Sequence, residues 1–200
     1  MKSTDLWQKG NLKVPSTTWV VNSGSAAKCP ARALGLCQAG KDCYALKSEC
    51  MYTHVLLYRE RQALLYRSAD PVAFADSMLA QSGRARKASR KMTTFRYNEA
   101  GDFEDQSQLD WFVAVCRRLA EFGVACYGYT ARTDLDLTKL QEVSQVNVSN
   151  DLGGWQSRGA NRSKIIRKGD DKPRAMCPGN CRNCRLCVNC SGIEIGIALH

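Results

Sequence analysis

Residues 92–130 read MTTFRYNEAGDFEDQSQLDWFVAVCRRLAEFGVACYGYT, and their rhythm changes twice. Met92 to Asn98 is rich in β-branched and aromatic residues, the composition of a strand. Gln106 to Phe122 carries Leu109, Phe112, Val113, Cys116, Leu119 and Ala120 at helical spacing, so a helix there has one apolar face. Gly123 stands where a left-handed residue closes such a helix. Val124 to Thr130 is strand-like again. Strand, helix and strand in one short stretch predict two parallel strands joined by a right-handed crossover.

The same alternation extends outward. Upstream, Ser16 to Val21 reads as a strand and Asn22 to Lys28 as a small polar loop. Tyr44 to Ser68 has few breakers and apolar residues at helical spacing, which predicts one long helix. Asp70-Pro71 is an N-cap followed by a proline at the first helical position, opening a helix to about Ala80. Downstream, Asp134 to Glu142 predicts a short helix and Gln145 to Ser149 a strand. The class is α/β with a parallel sheet. After Asn150 the rhythm is lost: residues 151–176 are rich in Gly, Arg, Lys and Asn and read as a loop. Ile193 to Leu199 is apolar enough for a last strand. A chain of 200 residues suits one domain, with 1–150 as its β/α part and 151–200 as a basic loop and cysteine group.

Eleven cysteines and a net charge of +10 set the functional classes. Met1 to Gly10 is polar, without the apolar core of a secretory leader, and no apolar run is long enough to span a bilayer. The expectation is a cytoplasmic protein with no membrane partner. In a reducing compartment, closely spaced cysteines point to metal binding before disulfides.

The C-terminal cysteines Cys177, Cys181, Cys184, Cys187 and Cys190 follow C-x3-C-x2-C-x2-C-x2-C. So dense a run wraps thiolates around one small inorganic centre, and both zinc and a cubane cluster take four. The fifth is spare or serves another centre. Cys29, Cys37 and Cys43 form a looser group between the first predicted strand and a helix. Three thiolates there would hold three irons of a cubane and leave the fourth open. His54 and His200 are the only histidines, and neither falls in a cysteine group. Two all-cysteine groups therefore favour one or two 4Fe–4S clusters, with zinc as the alternative. Cys116 lies on an apolar helix face and Cys126 inside a strand, so both read as core. Cys50 is undecided.

Cys29-Pro30, Cys37 and Cys43-Tyr44-Ala45 resemble the "CP…C…CYA" opening of the phage "gene product 88" family. Arg96-Tyr97-Asn98-Glu99-Ala100-Gly101-Asp102-Phe103 is similar to that family's strand ending in Gly-Asp-Phe, and Tyr127-Gly128-Tyr129-Thr130 to its "YAYT" strand. Cys177-Pro178 through Cys187 resembles a cysteine run of some relatives. The resemblance implies a distant kinship with radical S-adenosylmethionine enzymes. With it come a partial (β/α) barrel, a cluster loop after the first strand, S-adenosylmethionine as a candidate cofactor, and a home in the host cytoplasm. The family's activity is undefined. This sequence departs from those enzymes in its first loop, C-x7-C-x5-C in place of C-x3-C-x2-C.

In a β/α barrel, functional residues sit at the carboxyl ends of strands. Those positions hold Asn98, Glu99 and Asp102, then Tyr129, Thr130 and Arg132, then Asn147, Ser149, Asn150 and Asp151. Glu99 and Asp102 are the candidate catalytic pair. Asn98, Tyr129, Arg132, Asn147 and Ser149 are candidate cofactor contacts. Helix capping by Asp102 and Asp105 is the competing explanation for the acidic residues. Two basic stretches stand out: Arg84 to Lys91, and Arg158, Arg162, Lys164, Arg167, Lys168, Lys172 and Arg174, continuing into Arg182 and Arg185. They are a phosphate-contacting surface or a solvated one, and Trp155 beside the second would stack on a base. Three functions follow: a redox or radical enzyme, a basic metalloprotein that binds nucleic acid, and a small electron carrier.

Overall fold

A computed structural model of the chain describes residues 6–37, 39–149 and 159–198. One sheet contains β1 (Gln8–Lys9), β2 (Thr18–Val21), β3 (Thr94–Tyr97), β4 (Ala125–Thr130), β5 (Gln145–Ser149), β6 (Asn161–Ile166), β7 (Ala175–Met176) and β8 (Glu194–Ala198). Its order is β1-β2-β3-β4-β5-β6-β8-β7. Every neighbouring pair is parallel except the short β1–β2 hairpin edge. The helices are α1 (Pro30–Ala33), α2 (Tyr44–Met51), α3 (Thr53–Ala63), α4 (Leu65–Ser68), α5 (Pro71–Gly83), α6 (Gln106–Ala120), α7 (Thr138–Val143) and α8 (Leu186–Asn189). The protein is thus mixed α/β with an eight-stranded, mostly parallel sheet. Among the described residues β1 and β7 do not pair with each other, so the sheet is open and no barrel closes.

The two faces of the sheet differ because side chains alternate along each strand. Trp19, Val21, Phe95, Tyr97, Cys126, Val146 and Val148 point to one face and are buried against α5 and α6. On α6, Leu109, Phe112, Val113, Cys116 and Leu119 meet them. Asp105 caps that helix by accepting from the Gln108 N–H at 2.8 Å, and Asp70 caps α5 by accepting from Ala73 at 2.8 Å. Cys116 and Cys126 are buried, as expected of core thiols. Gly128 lies against the Tyr97 ring, where a Cβ would collide with it.

The opposite face is polar: Thr18, Thr94, Arg96, Tyr127, Tyr129, Asn147, Asn161 and Ser163, almost all buried. Polar side chains buried on a sheet face require partners. Asn147 and Asn161 find theirs at the far end of the chain, whereas the Ser163 hydroxyl and the Arg96 Nε have none among the described residues.

Two expectations change. The long helix over 44–68 is three helices, broken at Tyr52 and Leu64. No glycine or proline marks the breaks. The first one turns α2 so that Glu49 meets Arg59 of α3 at 2.8 Å in a buried ion pair. Residues 161–166, expected as loop, form β6 between β5 and β8. The crowded cysteine run contains a short helix, α8, which packs on β4 and β5.

Candidate metal centre

The C-terminal cysteine segment folds back over the polar face instead of trailing beyond the sheet. Asn147 on β5 donates to the Cys187 carbonyl at 3.0 Å. Asn161 on β6 donates to the Cys190 carbonyl at 2.8 Å and to the Asn147 side chain at 3.0 Å. At the other end, the Cys181 N–H donates to the Lys13 carbonyl and the Cys177 N–H to that of Gly196, at 2.9 and 2.7 Å. Four backbone anchors thus fix the segment over β2, β4 and β5.

A cavity lies between the segment and the sheet. Cys177, Cys181, Cys184 and Cys187 line it, with Pro15, Thr18, Tyr127 and Tyr129 as its floor. Asn180, Arg185 and Val188 complete the wall. Cys190 is outside the lining, although its carbonyl is held. Burial pushes the Cys187 thiol up to about 11, while a hydrogen bond from the Tyr129 hydroxyl pulls it back. Burial likewise raises Cys181, against the pull of Arg96. Among the described residues no three His, Cys, Asp or Glu side chains close on a single point that one ion would occupy.

The N-terminal cysteines sit elsewhere, in the loops that follow β2. Cys29 is the N-cap residue of α1, Pro30 its first helical residue, and Cys43 precedes α2. Burial pushes the Cys29 thiol up to about 12, helped by the charge of Asp102 and then of Cys37. Asp42 meets Arg167, just after β6, at 3.3 Å, so this loop spans the carboxyl ends of the strands. None of the three lines the C-terminal cavity. Cys50 is exposed.

The polar ring expected at the strand ends divides between these regions. Tyr129 and Asn147 serve the C-terminal segment directly. Glu99 accepts from Asn11 at 2.9 Å and lies 4.0 Å from Arg96, while the Tyr44 hydroxyl donates to the Glu99 carbonyl. Asp102 faces the other way, accepting from the Thr130 hydroxyl at 2.6 Å and the Ala131 N–H at 2.7 Å. Glu99 and Asp102 therefore share no hydrogen-bonded partner among the contacts described, and Asp102 ties two loops together without capping α6. Asn98, with a left-handed φ of 53°, accepts from the Ser23 hydroxyl and N–H. Arg132 pairs with Asp134 at 2.7 Å and donates to the Glu104 carbonyl at 2.9 Å. Ser149 ends β5 half-buried. Asn150, Asp151, Trp155 and Arg158 lie outside the described residues.

Arg162 and Lys164 project from the outer face of β6, exposed. Lys168 is exposed in the turn after it, where the Arg167 N–H bonds Asp170. Sequence reasoning did not single out Arg96, Tyr127 or Asn161. The signal for Arg96 was present: a charged residue in the middle of a strand whose neighbours are apolar or aromatic.

A family model described as gene product 88 matches residues 2–150. That span contains Cys29, Cys37 and Cys43 and stops short of the C-terminal group. No curated protein and no solved structure matches the chain.

Proposed function

The chain belongs to the gene product 88 family, and from that premise we propose that it is a phage-type iron–sulfur protein whose C-terminal thiols carry a cluster against the polar face of the sheet. The observation that carries the reading is the cavity bordered by Cys177, Cys181, Cys184 and Cys187. Four thiolates are the complement of a cubane, one per iron. The geometry also favours a particular four of the five, with Cys190 as the spare. Tyr129 supplies a hydrogen bond to a ligand sulfur, the kind of contact that orients thiolates and tunes a cluster. When bound, such a centre supplies one-electron chemistry. Everything else is the work of this chain: Asn147 and Asn161 hold the ligand segment, and Tyr127 and Tyr129 keep water from its inner side.

Cys29, Cys37 and Cys43 are proposed as ligands of a second centre at the strand ends, with one iron left without a cysteine. The consecutive order of β2 to β6, with α5 and α6 on one face and polar residues on the other, is what supports a partial barrel akin to radical enzymes. S-adenosylmethionine would bind at that second centre.

The test is anaerobic purification followed by iron and acid-labile sulfide analysis and electron paramagnetic resonance. Cys181→Ser and Cys184→Ser should each lose the iron of the C-terminal centre, whereas Cys190→Ser should keep it. Colourless protein with stoichiometric zinc would sink the cluster reading. A spectrum unchanged by S-adenosylmethionine would remove the radical branch alone.

One observation favours a second reading beside it. The outer face of β6 presents Arg162 and Lys164 side by side on one surface, next to Lys168. Such a stripe suits phosphate contacts with nucleic acid. Neutralising Arg162, Lys164 and Lys168 together should abolish a salt-dependent mobility shift, and an unaffected shift would rule that surface out.

A further inference from the structure

One charged side chain is buried beneath the thiol-lined cavity. Arg96, in the middle of β3, is 9% exposed and points to the polar face. Its guanidinium stands 5.1 Å from the centre of the Tyr129 ring. Tyr129 in turn lines the cavity together with Cys181 and Cys187. The only ion pair described for Arg96 is a loose one, to Glu99 at 4.0 Å. Glu99 takes its hydrogen bond from Asn11 instead, and the Arg96 Nε is buried without a partner among the described residues. A guanidinium does not shed its proton. Burying it with so weak a partner costs several kcal/mol unless negative charge lies close by.

We propose that Arg96 is the counter-charge of the C-terminal cluster, a positioning residue whose buried guanidinium stabilises the reduced centre and so raises its reduction potential. The inference rests on the cluster reading above. A four-thiolate cubane is anionic and gains a further negative charge when an external reductant delivers one electron. A fixed cation in a poorly screened site favours the more negative form. Glu99 opposes it, so the two residues should move the potential in opposite directions.

The experiment is a dithionite titration of the holoprotein, followed by electron paramagnetic resonance of the C-terminal centre. Arg96→Gln should weaken one-electron reduction at least tenfold, about 59 mV toward lower potential. Arg96→Lys keeps the charge and should stay near wild type. Glu99→Gln should shift the midpoint upward. An Arg96→Gln protein with full iron and an unmoved midpoint overturns the proposal, as does a lysine variant as low as the glutamine one. If Arg96→Gln fails to fold or to hold iron, Glu99→Gln decides alone: a rise supports the proposal and an unmoved midpoint overturns it. Wild-type protein without iron and sulfide would instead remove the cluster reading and this inference with it.

Discussion

Asp102 shows what burial does to a carboxyl that keeps all its partners. Its oxygens accept from the Thr130 hydroxyl and from the N–H groups of Ala131 and Phe103. Burial nevertheless pushes its pKa up to about 6, with those hydrogen bonds and Arg132 offsetting it only in part. An unfolded aspartate titrates near ~3.9. The folded state therefore holds the proton more tightly, and this contribution to stability is complete below about pH 4 and lost as pH rises through about 6. Roughly two units at 1.36 kcal/mol each make about 3 kcal/mol. Denaturant titrations from pH 4 to 7 should show wild type losing that much relative to Asp102→Asn, and parallel curves would refute the assignment. Glu49 is the opposite case, a buried charge that is fully engaged. It pairs with Arg59 and accepts from the N–H groups of Ala26 and Ala27, in the loop that leads to Cys29. Glu49→Gln strands the Arg59 charge in the interior. The expected loss is about 3–5 kcal/mol, read as a lowered thermal midpoint, and an unchanged midpoint would show that the pair contributes nothing net.

Among the elements, α8 and its flanking cysteines depend on two asparagines more than on apolar packing. Its leucine and valine are only half-buried, whereas Asn147 and Asn161 are fully buried and bond the carbonyls of Cys187 and Cys190. Replacing Asn161 by Ala leaves the Cys190 carbonyl and the Asn147 amide oxygen short of a donor, at about 1–3 kcal/mol. The metal-free Asn161→Ala protein should therefore alkylate faster at Cys184 and Cys187, with the melting of the α5–α6 core little changed. Equal alkylation rates, measured by mass spectrometry, would show that the segment is held by other means. None of this long-range pairing was readable in the chain, because an asparagine in a strand signals a partner without naming it. Elements with strong local signals were readable: α6 from its apolar stripe and Asp105 cap, and β5 to its end residues. β6 was missed because Arg162 and Lys164 interrupt its apolar pattern. The structure tolerates them because no helix covers that face of β6. The break at Tyr52 was missed for a related reason: it answers to a buried ion pair, not to a helix-breaking residue. At the proposed site, cysteine spacing singles out both thiol groups, while which four of the five C-terminal cysteines line the cavity is visible only in the fold.

For the whole molecule, the chain divides unequally between core and site. Among the described residues the main apolar cluster runs from Trp7 to Val148, with Ala160 as its one member beyond that point. Residues 159–198 add β6, β7 and β8 to the sheet and lay the cysteine segment over the polar face. Residues 159–200 also carry eight Lys and Arg against three acidic residues, half of the net charge of +10. A fragment ending at residue 158 should accordingly keep the helix-side core and melt cooperatively, but at a lower temperature. It should also self-associate, because β5 loses its pairing with β6 and becomes an open edge while Tyr127 and Tyr129 lose their cover. Calorimetry and light scattering read these two effects separately. The fragment retains Cys29, Cys37 and Cys43 and loses the entire second group. Iron that survives truncation would then belong to the centre at the strand ends, and iron lost with it to the cavity. If the fragment shows no cooperative melt, the C-terminal strands are part of the folding unit rather than an addition to it.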